Sequence, residues 1–525
     1  MIASLAGVVA LILFARVAVR RSNTARGAAP STIVGGIGFA AAVSTRPLTG
    51  IAEIRRFFRS NQTPIYFCSA TAFNLLGIDR WVRNFRFLNY YDSFDGWHPN
   101  VVVPREQTPR GFSSIEEICN YLLGHKEIVD QVRGRGPGKI AFLMFDEETE
   151  ALAAELDLTV AFPSAALRHR LDSKIETTRL GDEAGVPSVP NVLSHGTTYE
   201  DLLAVAERGK LGRDLVVQTP YGDSGQTTFF VAHHDDWGAN ESKVVGQPIK
   251  VMKRIEPREL AIEGVITRHG TLVGPLMAEL TGFPELTPYD GGWCGNDVSP
   301  DVLTDSQRAT ARERTFAMGE RLRQEGYRGY FELDFLLDAD TGEIWLGELN
   351  PRVTGASSIT NVTAVAYGDM PLFLFHLLEF MDVDYEIDVD ELNHRWSQVH
   401  ALDEWTQFIL KQTEDVTELI TVAPSSGIWR MKDDSIAFDR RDTDWHTVAN
   451  DQEAFYLRIA GAGQYRYRGA DLGILVTRGR FMDDEHELLD RARTWITGIK
   501  SSFVSEAPPV RTPPVQPEPF GFKML

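Results

Sequence analysis

The chain has 525 residues, with 53 Lys plus Arg against 73 Asp plus Glu, a formal net charge of −20. At 43% hydrophobic and 24% charged it has the composition of an ordinary globular protein, long enough for three or four domains of roughly 150 residues each. So acidic a chain would repel a phosphate backbone, which argues against a nucleic-acid binder, and the widely spaced Cys68, Cys119 and Cys294 offer neither a disulfide framework nor a paired zinc motif.

Residues 2–15 form an unbroken run of apolar and small residues, followed by Arg16, Arg20 and Arg21, and no Asp or Glu occurs before Glu53. Residues 2–19 read as a membrane attachment whose basic flank holds the rest of the chain in the cytoplasm, or as a transit peptide or a mis-started extension. The expected location is cytoplasmic, with or without that anchor, and a reducing compartment suits the cysteines. Residues 1–52 are set apart as anchor or leader plus linker. Residues 504–525 are set apart as a Pro-rich disordered tail, in which the stretch from Ala507 to Pro519 suits neither helix nor strand.

Residues 65–68 read as a strand, 80–91 as a polar and aromatic connection, and 100–103 as a second strand. A helix fits 113–123, with Ile115, Ile118, Cys119 and Leu122 on one face. Residues 140–144 make another strand after a Gly-rich turn at 133–138, which precedes a strand rather than a helix and so is read as a turn, not a phosphate loop. Strands separated by helices imply a parallel α/β sheet over 53–165. A helix follows Asp172-Ser173-Lys174, capped by Asp172 or Ser173 and stopped by Gly185 and Pro187. Next come strands at 215–218 and 228–231 around a loop of small residues and hydroxyls, then a strand at 260–266 and a helix over 305–324. Residues 397–460 are strand-rich, and a helix over 487–499 places Leu488, Ala492, Trp495 and Ile499 on one face.

The most informative stretch runs from Tyr330 to Arg352. Two apolar runs joined by the polar turn 338–342 make a β-hairpin. Side chains alternate along a strand, so Glu348 and Asn350 share a face, and a turn centred near Asp340 sets Glu332 and Asp334 on the same face across the ladder. Hard oxygen ligands gathered in this way suit Mg²⁺ on a nucleotide, and Arg352 follows as a cation for phosphate or carboxylate. The loop Pro220 to Thr228 can fold over phosphates with backbone N–H groups and hydroxyls, although no Walker Gly-Lys-Ser/Thr follows it. The strand end Val251 to Ile255, carrying Lys253, can hold an adenine against apolar side chains.

Lys174, the small-residue loop, the Lys253 strand, then Asp334, Glu348, Asn350 and Arg352 form a succession that resembles the ATP-grasp superfamily over about residues 165–385. Glu348-Leu349-Asn350-Pro351-Arg352 is its most specific part. The resemblance implies two α+β lobes clamping ATP at 166–385, a pre-ATP-grasp α/β domain at 53–165, and a mixed, β-rich domain at 386–503. The last is similar, more loosely, to the C-terminal domain of biotin carboxylases, through the segment from Gly469 to Thr477. It further implies that Lys174 contacts the nucleotide phosphates and that Gly222, Ser224, Gly225, Thr227 and Thr228 form a lid. Lys253, Arg254 and Ile255 become the adenine-side strand and Glu259 a ribose contact. Asp334, with Glu332 as second choice, joins Glu348 and Asn350 as ligands of Mg²⁺ or Mn²⁺, and Arg352 steadies an acyl phosphate.

Two positions depart from the pattern. Gln218 stands where the superfamily has a second phosphate-binding lysine, and Val353-Thr354 stands where biotin carboxylases have Val-Glu. The expected function is an ADP-forming ligase that activates a small carboxylate as an acyl phosphate and joins it to a small amine. The alternatives are a biotin-carboxylase-like enzyme and an ATP-binding regulator or scaffold without turnover. These motifs leave the acid, the amine and the oligomeric state open.

Overall fold

The computed structural model describes residues 46–508 apart from 106–110, 223–226, 290, 299–302, 367–369 and 399–403. The apolar run at 2–19, the lid residues Ser224 and Gly225 and residues 509–525 of the tail therefore lie outside the described residues. Val504–Glu506, assigned to the tail, is instead a strand that pairs with Glu418–Val422 and ends before the prolines begin. Among the described residues no helix is long and apolar enough to cross a membrane.

Three sheets position the site. The first is parallel, in the order Val101–Val102, Phe85–Asn89, Ile65–Ser69, Gly138–Phe142, Leu158–Val160. Its central strand Ile65–Ser69 is buried along its whole length, as a strand covered on both faces must be. The stretch 80–91, expected as a connection, contains the strand Phe85–Asn89. Phe85, Phe87 and Leu88 are buried there, and Arg86 and the flanking polar residues hide that pattern in the sequence. Helix Ile115–Gly124 starts after Ser114, whose hydroxyl accepts the Glu117 N–H at 3.2 Å, and it buries Ile115, Ile118, Cys119 and Leu122. The Gly-rich segment is a turn between helix Lys126–Arg133 and strand Gly138–Phe142.

The second sheet is antiparallel, in the order Asn191–His195, Pro248–Lys253, Leu215–Gln218, Thr228–Val231. Val217 and Val251 face helices Tyr199–Gly209 and His234–Val244 in a small core with Leu202, Val205 and Trp237. Alternation turns Val216, Gln218 and Met252 to the opposite face, where they line a cleft.

The third sheet has ten strands, all neighbours antiparallel: Ile344–Asn350, Gly329–Asp338, Pro257–Thr267, Gly270–Thr281, Trp293–Val298, Trp405–Lys411, Asp471–Arg478, Glu453–Arg458, Gly427–Lys432, Ser435–Arg440. Pairing of Trp293–Val298 with Trp405–Lys411 carries this sheet without a break from the hairpin into the region after residue 386. The last helix is Asp490–Ser501, not 487–499. Asp483 accepts the N–H groups of Glu485 and Glu487, which holds 483–487 in a turn and delays the helix. Ala492, Trp495 and Ile499 are buried as their spacing requires, and Leu488 is buried ahead of the helix.

Candidate active site

The hairpin sets the geometry. Glu332 lies opposite Asn350 and Asp334 opposite Glu348, so all four project from one face, and a register shift follows between Asp334 and Phe335. The next strand, Pro257–Thr267, places Ala261 opposite Asp334 and Glu263 opposite Glu332. Ala261 is small enough to leave room for carboxylates reaching over it. Beyond it, strand Gly270–Thr281 contributes Glu279, and single oxygens of Glu279, Glu332 and Asp334 lie within 4.8 Å of one another. Asn350 Nδ2 donates to Asp334 Oδ2 at 3.3 Å. Glu263 is held differently. It accepts from Tyr330 Oη at 2.6 Å, Ser357 Oγ at 2.5 Å and Thr354 Oγ1 at 3.1 Å, which makes it a buried strut beneath the site.

Lys174 opens helix Lys174–Ala184 and is buried. Its Nζ donates to Glu348 Oε1 at 2.6 Å and to the Gly222 carbonyl at 3.1 Å. Ser173 occupies the N-cap but its side chain makes no capping bond, contrary to expectation. The Lys174 N–H instead donates to the Pro220 carbonyl at 2.9 Å, so the small-residue loop itself caps the helix. Gly181 fixes the helix against the hairpin, since a Cβ there would come within 2.6 Å of Leu346 Cδ2.

The loop begins and ends at a tie between Gln218 Nε2 and Thr228 Oγ1, 3.0 Å long. Gly222 has φ 148°, and a Cβ there would stand 2.1 Å from Thr227 Cγ2, so only glycine fits. On the opposite wall Val189, Val216 and Met252 pack with Ile255, Leu336 and Trp345 into an apolar shelf. Lys253 and Arg254 are exposed at its rim, with the Arg254 guanidinium 4.9 Å from the Phe230 ring centroid.

One cleft of about 560 Å³ gathers Lys174, Gln218, Thr228, Lys253, Arg254, Ile255, Glu259, Asp334, Glu348, Asn350 and Arg352. Gly222 and Thr227 adjoin it through Lys174 and the Gln218–Thr228 tie, while Ser224 and Gly225 fall outside the described residues. Glu332, the second choice at the hairpin, lines the same cleft. Glu279 and Trp293 also line it and were not singled out in the sequence. The available signal for Glu279 was one charge inside the apolar run Leu276 to Leu280.

No family model matches the chain. Over 270 residues, 48% of this chain, it is 22% identical to the [butirosin acyl-carrier protein]–L-glutamate ligase of Niallia circulans, and it spans only 61% of that enzyme's length. The N5-carboxyaminoimidazole synthase of Aspergillus clavatus, solved with ADP and 5-aminoimidazole ribonucleotide, superposes with a TM-score of 0.51 at 14% identity, over 84% of this chain and 99% of that one. The biotin carboxylase of Campylobacter jejuni, solved as a beta-gamma-ATP complex, gives 0.54 at 11% identity, over 86% and 89%. These structures are ATP-grasp enzymes. The chain has the ATP-grasp fold.

Within that ATP-grasp fold the acidic floor is electrostatically expensive. Burial raises the Glu332 carboxyl well above the ordinary range, and the nearby Asp334 and Glu263 add to it. Asp334 is raised in the same way, by burial first and then by Glu348 and Glu259. A divalent cation would relieve both, and the donor set of carboxylates and an amide oxygen suits a hard cation such as Mg²⁺. Arg352 opposes both shifts, which places its charge near them.

Proposed function

We propose that the chain is an ATP- and Mg²⁺-dependent ligase that joins a carboxylate to an amine. The observation that carries this reading is the convergence in one cleft of the four-residue oxygen face (Glu332, Asp334, Glu348, Asn350) with the cations Lys174 and Arg352. The fold of nucleotide-bound neighbours and the ligase named in the curated match support it.

The apolar shelf of Val216, Met252 and Ile255 accepts the adenine ring, and Glu259 at the rim is within the same cleft for the ribose hydroxyls. Lys174 meets the phosphates. Its bond to Glu348 would then exchange for one to phosphate, and Asp334, Glu348 and Asn350 are the residues that would hold the cation. Bound Mg²⁺ offsets charge on the transferring phosphoryl group. A substrate carboxylate oxygen attacks the γ-phosphorus, the bond to ADP breaks, and Arg352 holds the acyl phosphate. The amine nitrogen then attacks the acyl carbon, phosphate leaves, and one proton is released.

The biotin-carboxylase alternative lacks its base: Thr354, in place of the glutamate, donates to Glu263 and carries no carboxylate. The test is ADP release across panels of carboxylic acids and amines, starting with amino acids, with hydroxylamine replacing the amine. A hydroxamate of one acid, formed only with Mg-ATP, is the expected result. ADP release stimulated by bicarbonate and free biotin, without any hydroxamate, would reverse the ranking of the two enzymes.

A further inference from the structure

Lys250 has no role in the site as described so far, and its position is unusual for a lysine. It lies in strand Pro248–Lys253 directly opposite Gln218, and its neighbour Val251 lies opposite Val217. Val217 and Val251 both point into the core beneath the sheet, so Lys250 points the other way, with Gln218 and Met252, both of which line the cleft. The residue is 1% exposed. Among the described residues its ammonium makes no hydrogen bond and no ion pair within contact distance. Burying an ammonium without a partner is costly, and the apolar packing of this sheet offers nothing in return.

The charges that act on Lys250 locate it further. Glu348 favours its charged form, Lys174 opposes it, and Asp182 favours it, so the Lys174–Glu348 pair is among the charges that act on it. Burial pushes its pKa down to about 8, low for a lysine yet still mostly protonated at neutral pH. Lys174 is already shared between Glu348 and the Gly222 carbonyl, and Gln218 brings no charge and is tied to Thr228. Lys253 and Arg254 stand exposed at the rim, so beside Gln218 the ~4 negative charges of a nucleotide triphosphate would meet a Lys174 that is already shared.

We propose that Lys250 is a second phosphate-binding cation, supplying from the adjacent strand the charge that Gln218 lacks. This rests on the reading of the cleft as an ATP site. It goes beyond that reading by assigning a residue that the motif order did not indicate. Lys250 and Gln218 face each other across one ladder position, so an ammonium extended from either strand enters the same space.

The experiment compares ATP and adenosine affinities by calorimetry at fixed Mg²⁺ for the full chain, Lys250→Met and the exchange variant Gln218→Lys/Lys250→Gln. Lys250→Met should weaken ATP at least tenfold, the scale of a charge-assisted hydrogen bond at about 1.5–3 kcal/mol, and leave adenosine within about twofold. The exchange variant should bind ATP within about threefold of the unmodified chain. Equal losses for ATP and adenosine would mark Lys250 as merely structural and overturn the proposal, as would an unchanged ATP affinity. Should Lys250→Met not fold, the exchange variant decides: near-normal ATP affinity supports the proposal, and a tenfold loss confined to ATP contradicts it. An unmodified chain that binds adenosine and ATP equally weakly would instead sink the ATP reading, and this inference with it.

Discussion

Lys174 joins three parts of the site: its N–H is capped by the loop carbonyl of Pro220, its ammonium bonds Gly222, and it neutralises Glu348. Lys174→Met should weaken ATP by about 1–3 kcal/mol in a nucleotide titration, and Glu348→Gln should remove Mg²⁺-dependent turnover while leaving the thermal melt in place. Unchanged titrations for Lys174→Met would take that residue out of the site. A second residue reports on pH. His376 is fully buried, stacked 4.8 Å from Phe373, with Nδ1 accepting the Tyr330 N–H at 3.0 Å. Burial pushes its pKa down to about 3 from the ordinary 6.5. The unfolded chain takes up a proton below pH 6.5 that the folded chain refuses. The contribution of a neutral His376 to stability is therefore intact above pH 6.5 and is lost as pH falls from there towards 3, at up to about 1.4 kcal/mol per unit. Urea midpoints should drop over that window more steeply for the unmodified chain than for His376→Asn. Parallel profiles would contradict this.

Site residues were legible where they formed runs and illegible where they stood alone. The segment from Glu348 to Arg352 carries its ligands at fixed alternation, so the sequence itself points to them. Glu279 sits singly in an apolar strand, and only the sheet order brings it beside the hairpin, whereas Lys250 shares its strand with Lys253 and only strand pairing sets it opposite Gln218. A lone charge in a strand has no sequence context that separates a ligand from a strut such as Glu263.

At the scale of elements, the hairpin was the most readable part, because a turn centred near Asp340 fixes which residues share a face. That turn sets Glu332, Asp334, Glu348 and Asn350 on one face, but the pairing of Glu332 with Asn350 and Asp334 with Glu348 rests on the register shift that leaves Gly347 unpaired, and a glycine inside the strand was its one signal. Strand Phe85–Asn89 went unread because Arg86 and its polar flanks mask a run buried on both faces. The contact between helix Lys174–Ala184 and the hairpin was also invisible beforehand, because a glycine inside a helix reads as weakness rather than as a docking point. Gly181→Ala forces a methyl within 2.6 Å of both Leu346 Cδ2 and the Val186 carbonyl. It should cost about 1–3 kcal/mol in denaturant unfolding and weaken ATP binding by displacing Lys174. A variant as stable as the parent, with normal ATP affinity, would show that the helix does not need this close approach.

At the scale of the molecule, the alternation of helices and strands announced the parallel sheet, and the succession of motifs announced the ATP-grasp fold. The ten-stranded sheet could not be foreseen, because the pairing of Trp293–Val298 with Trp405–Lys411 joins segments more than a hundred residues apart. A second and larger cleft, about 850 Å³, lies mainly against the parallel sheet, at Arg86, Val101 and Val102, and is also lined by Tyr91, Arg105, Arg458 and Gln464. Its acids are engaged: Asp95 pairs with Arg458, and Glu127 accepts the Arg105 N–H. In the smaller cleft, by contrast, burial and neighbouring acids raise the carboxyls of Glu332 and Asp334. The most direct test of acyl-phosphate formation uses the acid that stimulates ADP release, labelled with ¹⁸O in its carboxylate and supplied with the amine and Mg-ATP. The account predicts one labelled oxygen in each phosphate released and none in ADP; unlabelled phosphate, or label appearing in AMP, would contradict it.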